Sequence, residues 1–157
     1  MNDYTAMAGL MAIFGIFFVF IAGIALVTYI LSAIGLYTMA VNRNIENPWL
    51  AWIPIVQLYI VGKLIGELKV INYDVPQPEI VLPISAIVAA VGSGIPVIGF
   101  FITIACTVIY FFALYRLFYL YKPDKAQLYI ILSIVLPFMG PVFMFMLRNE
   151  KANLEVV

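Results

Sequence analysis

The sequence predicts an all-α integral membrane protein with about four transmembrane helices, several of them broken at proline, plus one re-entrant or interfacial helical segment. Its 157 residues are 66% hydrophobic and only 10% charged, with a mean hydropathy of +1.12. Soluble domains carry about 25% charged residues. Two long stretches, residues 4–42 and 80–115, contain no charged side chain. We therefore interpret residues 1–157 as a single transmembrane domain.

The first predicted element is one long helix over residues 4–41, because this stretch has no proline and no turn dipeptide. Its most apolar part, residues 8–30, is expected to span the bilayer. Small residues fall on one stripe of this helix, and small residues let helix backbones approach closely in lipid. We expect the stripe to pack within the chain or to form an interface with another protein or copy. Its members are Ala8, Ala12, Gly15, Ala22, Ala25 and Ser32.

The next element, residues 48–66, is predicted to be re-entrant or interfacial. Its apolar part, Trp49 to Gly62, would rise only about 21 Å as a helix, short of a hydrocarbon core of roughly 30 Å. Pro54 divides it into a short tryptophan-bearing turn and a second helical piece. Tryptophan at one end and lysine at the other suit the water–lipid interface. An extended connector, residues 72–78, is expected to follow.

Two further helices are predicted over residues 79–91 and 97–121, separated by a glycine- and proline-containing turn. The last element is a broken helix over residues 125–147, interrupted at Leu136–Pro141. It either crosses the membrane once or folds back.

Three prolines recur at similar intervals, each inside an apolar run. Pro54, Pro96 and Pro137 are spaced by 42 and 41 residues. One interpretation is a repeated broken-helix unit, as in transporters. The other is coincidence, since membrane helices tolerate proline.

Basic residues predict the orientation. They all follow the first helix, whereas the start of the chain carries only Asp3. The positive-inside rule then places the N-terminus outside, and residues 43–69 and 116–125 in the cytoplasm. The chain between these two loops must cross an even number of times, which favours a helical hairpin and a segment 48–66 that does not cross. Met1 to Asp3 has no basic signal-peptide region, so the first helix is expected to be retained.

The segment from Trp49 to Gly66 reads W-x-x-W-I-P-x-x-x-L-Y-x-x-x-K-x-x-G. Together with the later Ile95–Val97 and Leu136–Phe138 breaks, it resembles a family of small bacterial multi-pass membrane proteins known as a domain of unknown function. The resemblance covers roughly residues 30–147. It implies a bacterial inner-membrane protein and no established activity. At the position of Gln57, this family often has asparagine.

Composition excludes several classes of chemistry. The chain has no histidine and one cysteine, Cys106, so zinc sites, histidine-dependent nucleophiles and internal disulfides lack their residues. Carboxylate pairs, metal cages and phosphate loops are not recognisable either. There is no basic tract for nucleic acid. We therefore expect no enzyme activity, no cofactor and no metal.

Polar side chains inside apolar stretches are the remaining functional candidates. Gln57 is expected to hydrogen-bond a backbone carbonyl freed by Pro54 or to serve a ligand. Lys63 and Glu67 stand four residues apart and are expected to pair on one helix face. Arg116 is expected to anchor at the cytoplasmic interface. The candidate groove for a lipid or a partner helix comprises Trp49, Trp52, Pro54, Gln57, Tyr59, Lys63, Glu67 and Arg116.

The sequence favours an accessory subunit or scaffold that acts by protein–protein or protein–lipid contact. Its partners would be membrane lipids and either another protein or a second copy, met through the small-residue faces. The alternative is a homo-oligomeric channel, a holin-like pore or a small transporter, with broken helices near the three prolines forming the path.

Overall fold

A computed structural model describes residues 3–153. The fold is mostly helical, with one short antiparallel hairpin. Its α-helices are α1 Asp3–Asn42, α2 Gln57–Ile65, α3 Pro78–Gly92, α4 Ile98–Tyr121, α5 Ala126–Val135 and α6 Met139–Leu147. The 3-10 helices are Pro48–Trp52 and Pro123–Lys125, and the strands are β1 Leu68–Val70 and β2 Tyr73–Val75.

Helix α1 is continuous, as its sequence predicted. Its 40 residues correspond to about 60 Å at ~1.5 Å per residue. Only its C-terminal part contributes to the core, through side chains such as Leu36 and Met39. The described side chains from Met7 to Val27 are all exposed. The helix therefore has a packed half and a half without neighbours among the residues that the structure describes.

Charged and polar groups gather where α1, α2, α4 and α6 end, a region called here the polar end. The Asn42 side-chain amide donates to the carbonyl of Arg148 at 3.0 Å. Arg43 donates to the carbonyl of Leu64, the penultimate residue of α2. Lys122, just after α4, pairs with Glu150 at 3.2 Å. These contacts place the ends of four helices together.

The predicted segment 48–66 forms a hairpin that leaves the polar end and returns to it, called here the Trp hairpin. Its 3-10 helix rises beside α1, where the Tyr29 hydroxyl donates to the carbonyl of Trp52. Helix α2 then returns toward Arg43. At the turn, Ile55 has a left-handed φ of 68°, a conformation that β-branched residues rarely adopt.

The chain after α2 departs from the predicted plain connector and from a purely helical fold. Strands β1 and β2 pair in antiparallel register, with Lys69 opposite Asp74. Cross-strand ion pairing joins these two side chains at 3.7 Å. Alternation of Leu68, Val70 and Val75 with charged residues is the strand signal that the prolines at 76 and 78 obscured.

Helices α3 and α4 form the hairpin predicted at the Gly92–Pro96 turn. The close approach of the two helices depends on Gly99, where a Cβ would overlap the carbonyl of Gly92. Of the two open readings for residues 125–147, the structure has the folded-back one. Tyr129 of α5 stacks on Phe143 of α6 with ring centroids 4.2 Å apart. We call α5 and α6 the C-terminal hairpin.

All three recurring prolines lie in or beside turns. Pro54 lies at the turn of the Trp hairpin, Pro96 between α3 and α4, and Pro137 between α5 and α6. Proline suits these positions because it has no backbone N–H for a helical hydrogen bond and its ring clashes with the preceding turn of a helix. Among residues 3–153, two helices, α1 and α4, are long and apolar enough to cross a membrane, whereas α3 has only 15 residues.

Candidate functional site

The structure distributes the predicted groove residues over two levels of the molecule. Trp52, Pro54 and Gln57 lie around the turn of the Trp hairpin, away from the polar end. Lys63 and Glu67 lie at its return to the polar end. A cavity beside Gln57 is not lined by Lys63, Glu67 or Arg116. The predicted groove residues therefore do not form one groove: some lie at the turn of the Trp hairpin and others at the polar end.

The two tryptophans lie on the outer surface. Trp49 is 54% exposed and Trp52 is 44% exposed. The Trp49 indole donates to the side-chain oxygen of Asn47 at 3.4 Å. Asn47 precedes Pro48 in a left-handed conformation, as a helix-entry residue, but its side chain does not cap the 3-10 helix. Both indole rings remain available to the surroundings of the protein.

Gln57 begins α2, and its side chain meets a different partner from the one expected. The backbone N–H of Gln57, not its side chain, donates to the carbonyl of Ile53 at 2.9 Å. The side-chain oxygen of Gln57 instead lies 3.5 Å from the hydroxyl of Ser32 on α1. Ser32 also donates to the carbonyl of Tyr29 at 2.8 Å. The expected bond to a backbone carbonyl freed by Pro54 is therefore not the one that the structure has, because Ser32 on α1 lies beside the side chain. The alternative, that Gln57 serves a ligand, stays a prediction.

A cavity of about 260 Å³ lies where the turns of the Trp hairpin and the C-terminal hairpin meet α1 and α4. Three of its lining residues carry polar side-chain groups: Ser32, Gln57 and Tyr110. The others are apolar and include the strained Ile55 and Pro141 near the start of α6. We call this space the hairpin cavity.

Sequence reasoning did not associate Ser32 and Tyr110 with Gln57. Ser32 belonged to the small-residue stripe, and Tyr110 to the aromatic end of the fourth helix. The three positions are separated by 25 and 53 residues, so no local pattern joins them. The one sequence signal that the three residues share is that each is a polar side chain within an apolar helix.

Lys63 pairs with Glu79 of α3 at 3.3 Å and not with Glu67. Helix α2 ends at Ile65, and Gly66 adopts a left-handed φ of 68°, which turns Glu67 out of the helix. The Lys63 ammonium also lies 5.6 Å from the centre of the Tyr59 ring. Its hydrogen bond to Glu79 raises the pKa of Lys63 above the ordinary 10.5.

Replacing Lys63 with methionine is expected to lower the stability slightly at neutral pH, since a half-exposed ion pair is screened by solvent. A raised lysine pKa contributes stability that is full below pH 10.5 and is lost as the pH rises through the pKa of the folded state. Unfolding of both proteins should be followed between pH 7 and 11. Lys69→Met, at a more exposed pair, is the control. A difference that persists unchanged at high pH would contradict the assignment.

Arg116 lies on α4, five residues before its end and beside the stacked rings of Tyr115 and Tyr119, whose centroids are 6.0 Å apart. It is half-buried.

Within residues 3–153, no cluster of three or more histidine, cysteine or acidic side chains has the arrangement of a metal site. The hairpin cavity is a place where polar groups from distant parts of the chain, Ser32, Gln57 and Tyr110, meet among apolar side chains. No protein-family model, curated protein or solved structure shows significant similarity to the chain.

Proposed function

We propose that this is a multi-pass protein of the bacterial inner membrane that acts by protein–protein contact, as an accessory subunit or scaffold. The observation that carries the proposal is the half of α1 that has no neighbour in the described part of the chain. From Met7 to Val27 it presents exposed apolar side chains on every face.

The proposed topology has three crossings, α1, α3 and α4, and two re-entrant hairpins, in place of the about four crossings expected. Helix α3 rises only about 22 Å. It is counted as a crossing together with the turn that follows it, because Glu79 at its start pairs with Lys63 and the long α4 also ends at the polar end. Several observations support it. Both ends of the Trp hairpin and of the C-terminal hairpin lie at the polar end, with the basic residues Arg43, Lys63 and Lys122. The positive-inside rule then assigns the polar end to the cytoplasm and the start of α1 to the outside.

The length of α1 supports contact with protein. It exceeds α4 by sixteen residues, about 24 Å. Fitting all of its roughly 60 Å into a core of about 30 Å needs a tilt near 60°, beyond the usual range of about 0–40°. Because the C-terminal end of α1 is fixed at the polar end, smaller tilts make its N-terminal part emerge from the far side of the bilayer, with residues such as Leu10 and Phe14 uncovered. The proposed span therefore lies further along the chain than the residues 8–30 expected from hydropathy. A protein surface is the cover that removes this part from water.

The small-residue stripe supports one face of α1 for that contact. Ser32 is buried in the chain, but Ala8, Ala12 and Gly15 are exposed, so the expected packing within the chain does not account for them. A Cβ added at Gly15 would meet no atom within 4 Å. Small residues of this kind permit the close helix approach that stabilises association in membranes.

Cross-linking in native membranes tests the proposal. Gly15→Cys in a Cys106→Ala background should give a covalent product on oxidation or with a short bifunctional reagent. A product at twice 17.6 kDa identifies a second copy, and one at another mass identifies a different subunit. Phe17→Cys, about 200° away around the helix, should give much less. Absence of any product along α1, tested at positions 8 to 22, would overturn protein contact.

Filling the stripe should weaken the association. With the cross-linking cysteine moved to Ala12→Cys, Gly15→Leu is expected to lower the affinity about tenfold, or ~1.4 kcal/mol, and so to reduce the cross-linked fraction. The reason is that the added side chain holds the helices apart. The fold should be unaffected, since the position is open in the chain. Phe17→Leu, on the face of α1 away from the small-residue stripe, is the matched control. Equal effects of the two substitutions would contradict the assigned face.

A channel, holin-like pore or small transporter is the second candidate. The hairpin cavity, at the meeting point of two broken helices, is the observation that favours it. Release of a trapped dye or ion from liposomes containing the purified protein tests it. Flux that disappears in Gln57→Leu would favour this candidate over the scaffold.

A further inference from the structure

We infer that the hairpin cavity is a binding site for a small, uncharged, hydrogen-bonding molecule, held chiefly by the carboxamide of Gln57. This site is independent of the contact function proposed for α1. It differs from the scaffold proposal in place, residues and ligand.

The hydrogen-bonding capacity of Gln57 is the first step. A carboxamide offers two N–H donors and an acceptor oxygen. In the described part of the chain, its only side-chain hydrogen bond is the long one, 3.5 Å, with Ser32. The single hydroxyl proton of Ser32 already has the Tyr29 carbonyl at 2.8 Å. Interchanging the oxygen and nitrogen of the carboxamide would let one N–H meet Ser32, but the second N–H and the oxygen would still have no partner among the described residues.

Unsatisfied amide groups are costly in apolar surroundings, by about 1–3 kcal/mol each in proteins. The hairpin cavity gives this amide a place to find a partner. Its volume of about 260 Å³ holds several water molecules, at about 30 Å³ each, or one small solute. The arrangement therefore suits an occupant that accepts from, and donates to, the amide.

The lining also determines the charge of the occupant. Ser32, Gln57 and Tyr110 are polar but uncharged, and the remaining lining side chains are apolar. An ion would enter this space without a counter-charge, which is unfavourable in a low dielectric. An uncharged molecule such as an amide or alcohol pays no such cost. Apart from Ile55, the lining residues come from four helices, α1, α2, α4 and α6, so the site forms only when these helices pack together.

Cysteine reactivity provides the test, with the full chain in a Cys106→Ala background. Ser32→Cys places a thiol in the lining of the cavity, at a residue that is 6% exposed. Ser133→Cys is the matched control, because Ser133 is 3% exposed and likewise donates to a carbonyl one turn earlier, that of Tyr129. A water-soluble methanethiosulfonate reagent reacts only with hydrated thiolate.

We expect Cys at position 32 to react about tenfold or more faster than Cys at position 133, because only the former meets a hydrated cavity. Acetamide, a small uncharged amide, should slow the reaction at position 32, and acetate of the same size should not. Adding Gln57→Leu should abolish the protection by acetamide. Equal rates at positions 32 and 133, protection by both solutes, or protection by neither would overturn the site.

If Ser32→Cys does not accumulate, Ile55→Cys carries the same comparison. Ile55 lines the cavity from the Trp hairpin and is 42% exposed. Acetamide protection at position 55 that depends on Gln57 supports the site, and its absence overturns it. Loss of cross-linking through α1 would leave these results unchanged, so failure of the scaffold proposal and failure of this one are distinguishable.

Discussion

Replacing Gly62 with valine is expected to lower the free energy of unfolding by about 3 kcal/mol or more, the upper range for overpacking in a core. A Cβ at this position would lie 2.6 Å from the carbonyl carbon of Pro78 and would overlap the backbone of Glu79. The obstruction is backbone, so no side-chain rotation relieves it. Helices α2 and α3 must separate, and the Lys63–Glu79 pair separates with them. Thermal unfolding in detergent measures the effect.

Gly23→Val is the matched control for this prediction. Gly23 lies on the exposed part of α1, where an added Cβ would meet no atom within 4 Å. The same residue change in a helix should therefore leave the midpoint close to that of the unmodified protein. If both valine substitutions lowered the midpoint equally, helix propensity and not the α2–α3 contact would be responsible.

Phe118→Ala is the second substitution with a large expected effect, a loss of about 3–5 kcal/mol in the free energy of unfolding. Phe118 is fully buried, and its ring meets those of Tyr129 and Phe143 edge-on, with centroids 5.8 and 5.9 Å apart. Removing it leaves a cavity between α4 and the C-terminal hairpin. Urea or thermal unfolding measures the loss.

Phe17→Ala removes the same side chain from a position that is 61% exposed in the chain. Its unfolding midpoint should change little. Phe118→Leu should recover part of the loss because it refills most of the cavity. A Phe118→Ala protein as stable as the unmodified one would show that the C-terminal hairpin is not held by this aromatic cluster.

Helix lengths and turns followed from the sequence because both are local properties. The uncharged run before Arg43 has no breaker, and it forms one helix. Pro54, Pro96 and Pro137 each interrupt an apolar run, and each lies in or beside a turn. The extent of the Trp hairpin was likewise predictable, since its apolar stretch is too short to cross a bilayer.

Partners across the fold did not follow from the sequence. Lys63 was expected to bond its helical neighbour Glu67, but the helix ends between them and Glu79 arrives from α3. The Gln57 side chain was expected to hydrogen-bond a backbone carbonyl freed by Pro54, but its partner in the structure is the hydroxyl of Ser32. Such pairings depend on the approach of helices distant in sequence. Periodicity and composition do not contain that information.

The two hairpins that begin and end at the polar end give the molecule unequal cross-sections. At that end, α1, α3, α4, the Trp hairpin and the C-terminal hairpin all occupy area, whereas at the far end the described residues contribute α1 and the tip of the α3–α4 hairpin. In the proposed topology, each half-depth hairpin displaces lipid from the cytoplasmic leaflet alone. The protein is then a wedge that is wider on its cytoplasmic side. Many copies gathered in one patch would expand that leaflet relative to the other, which makes the cytoplasmic side convex, so that the bilayer bulges toward the cytoplasm.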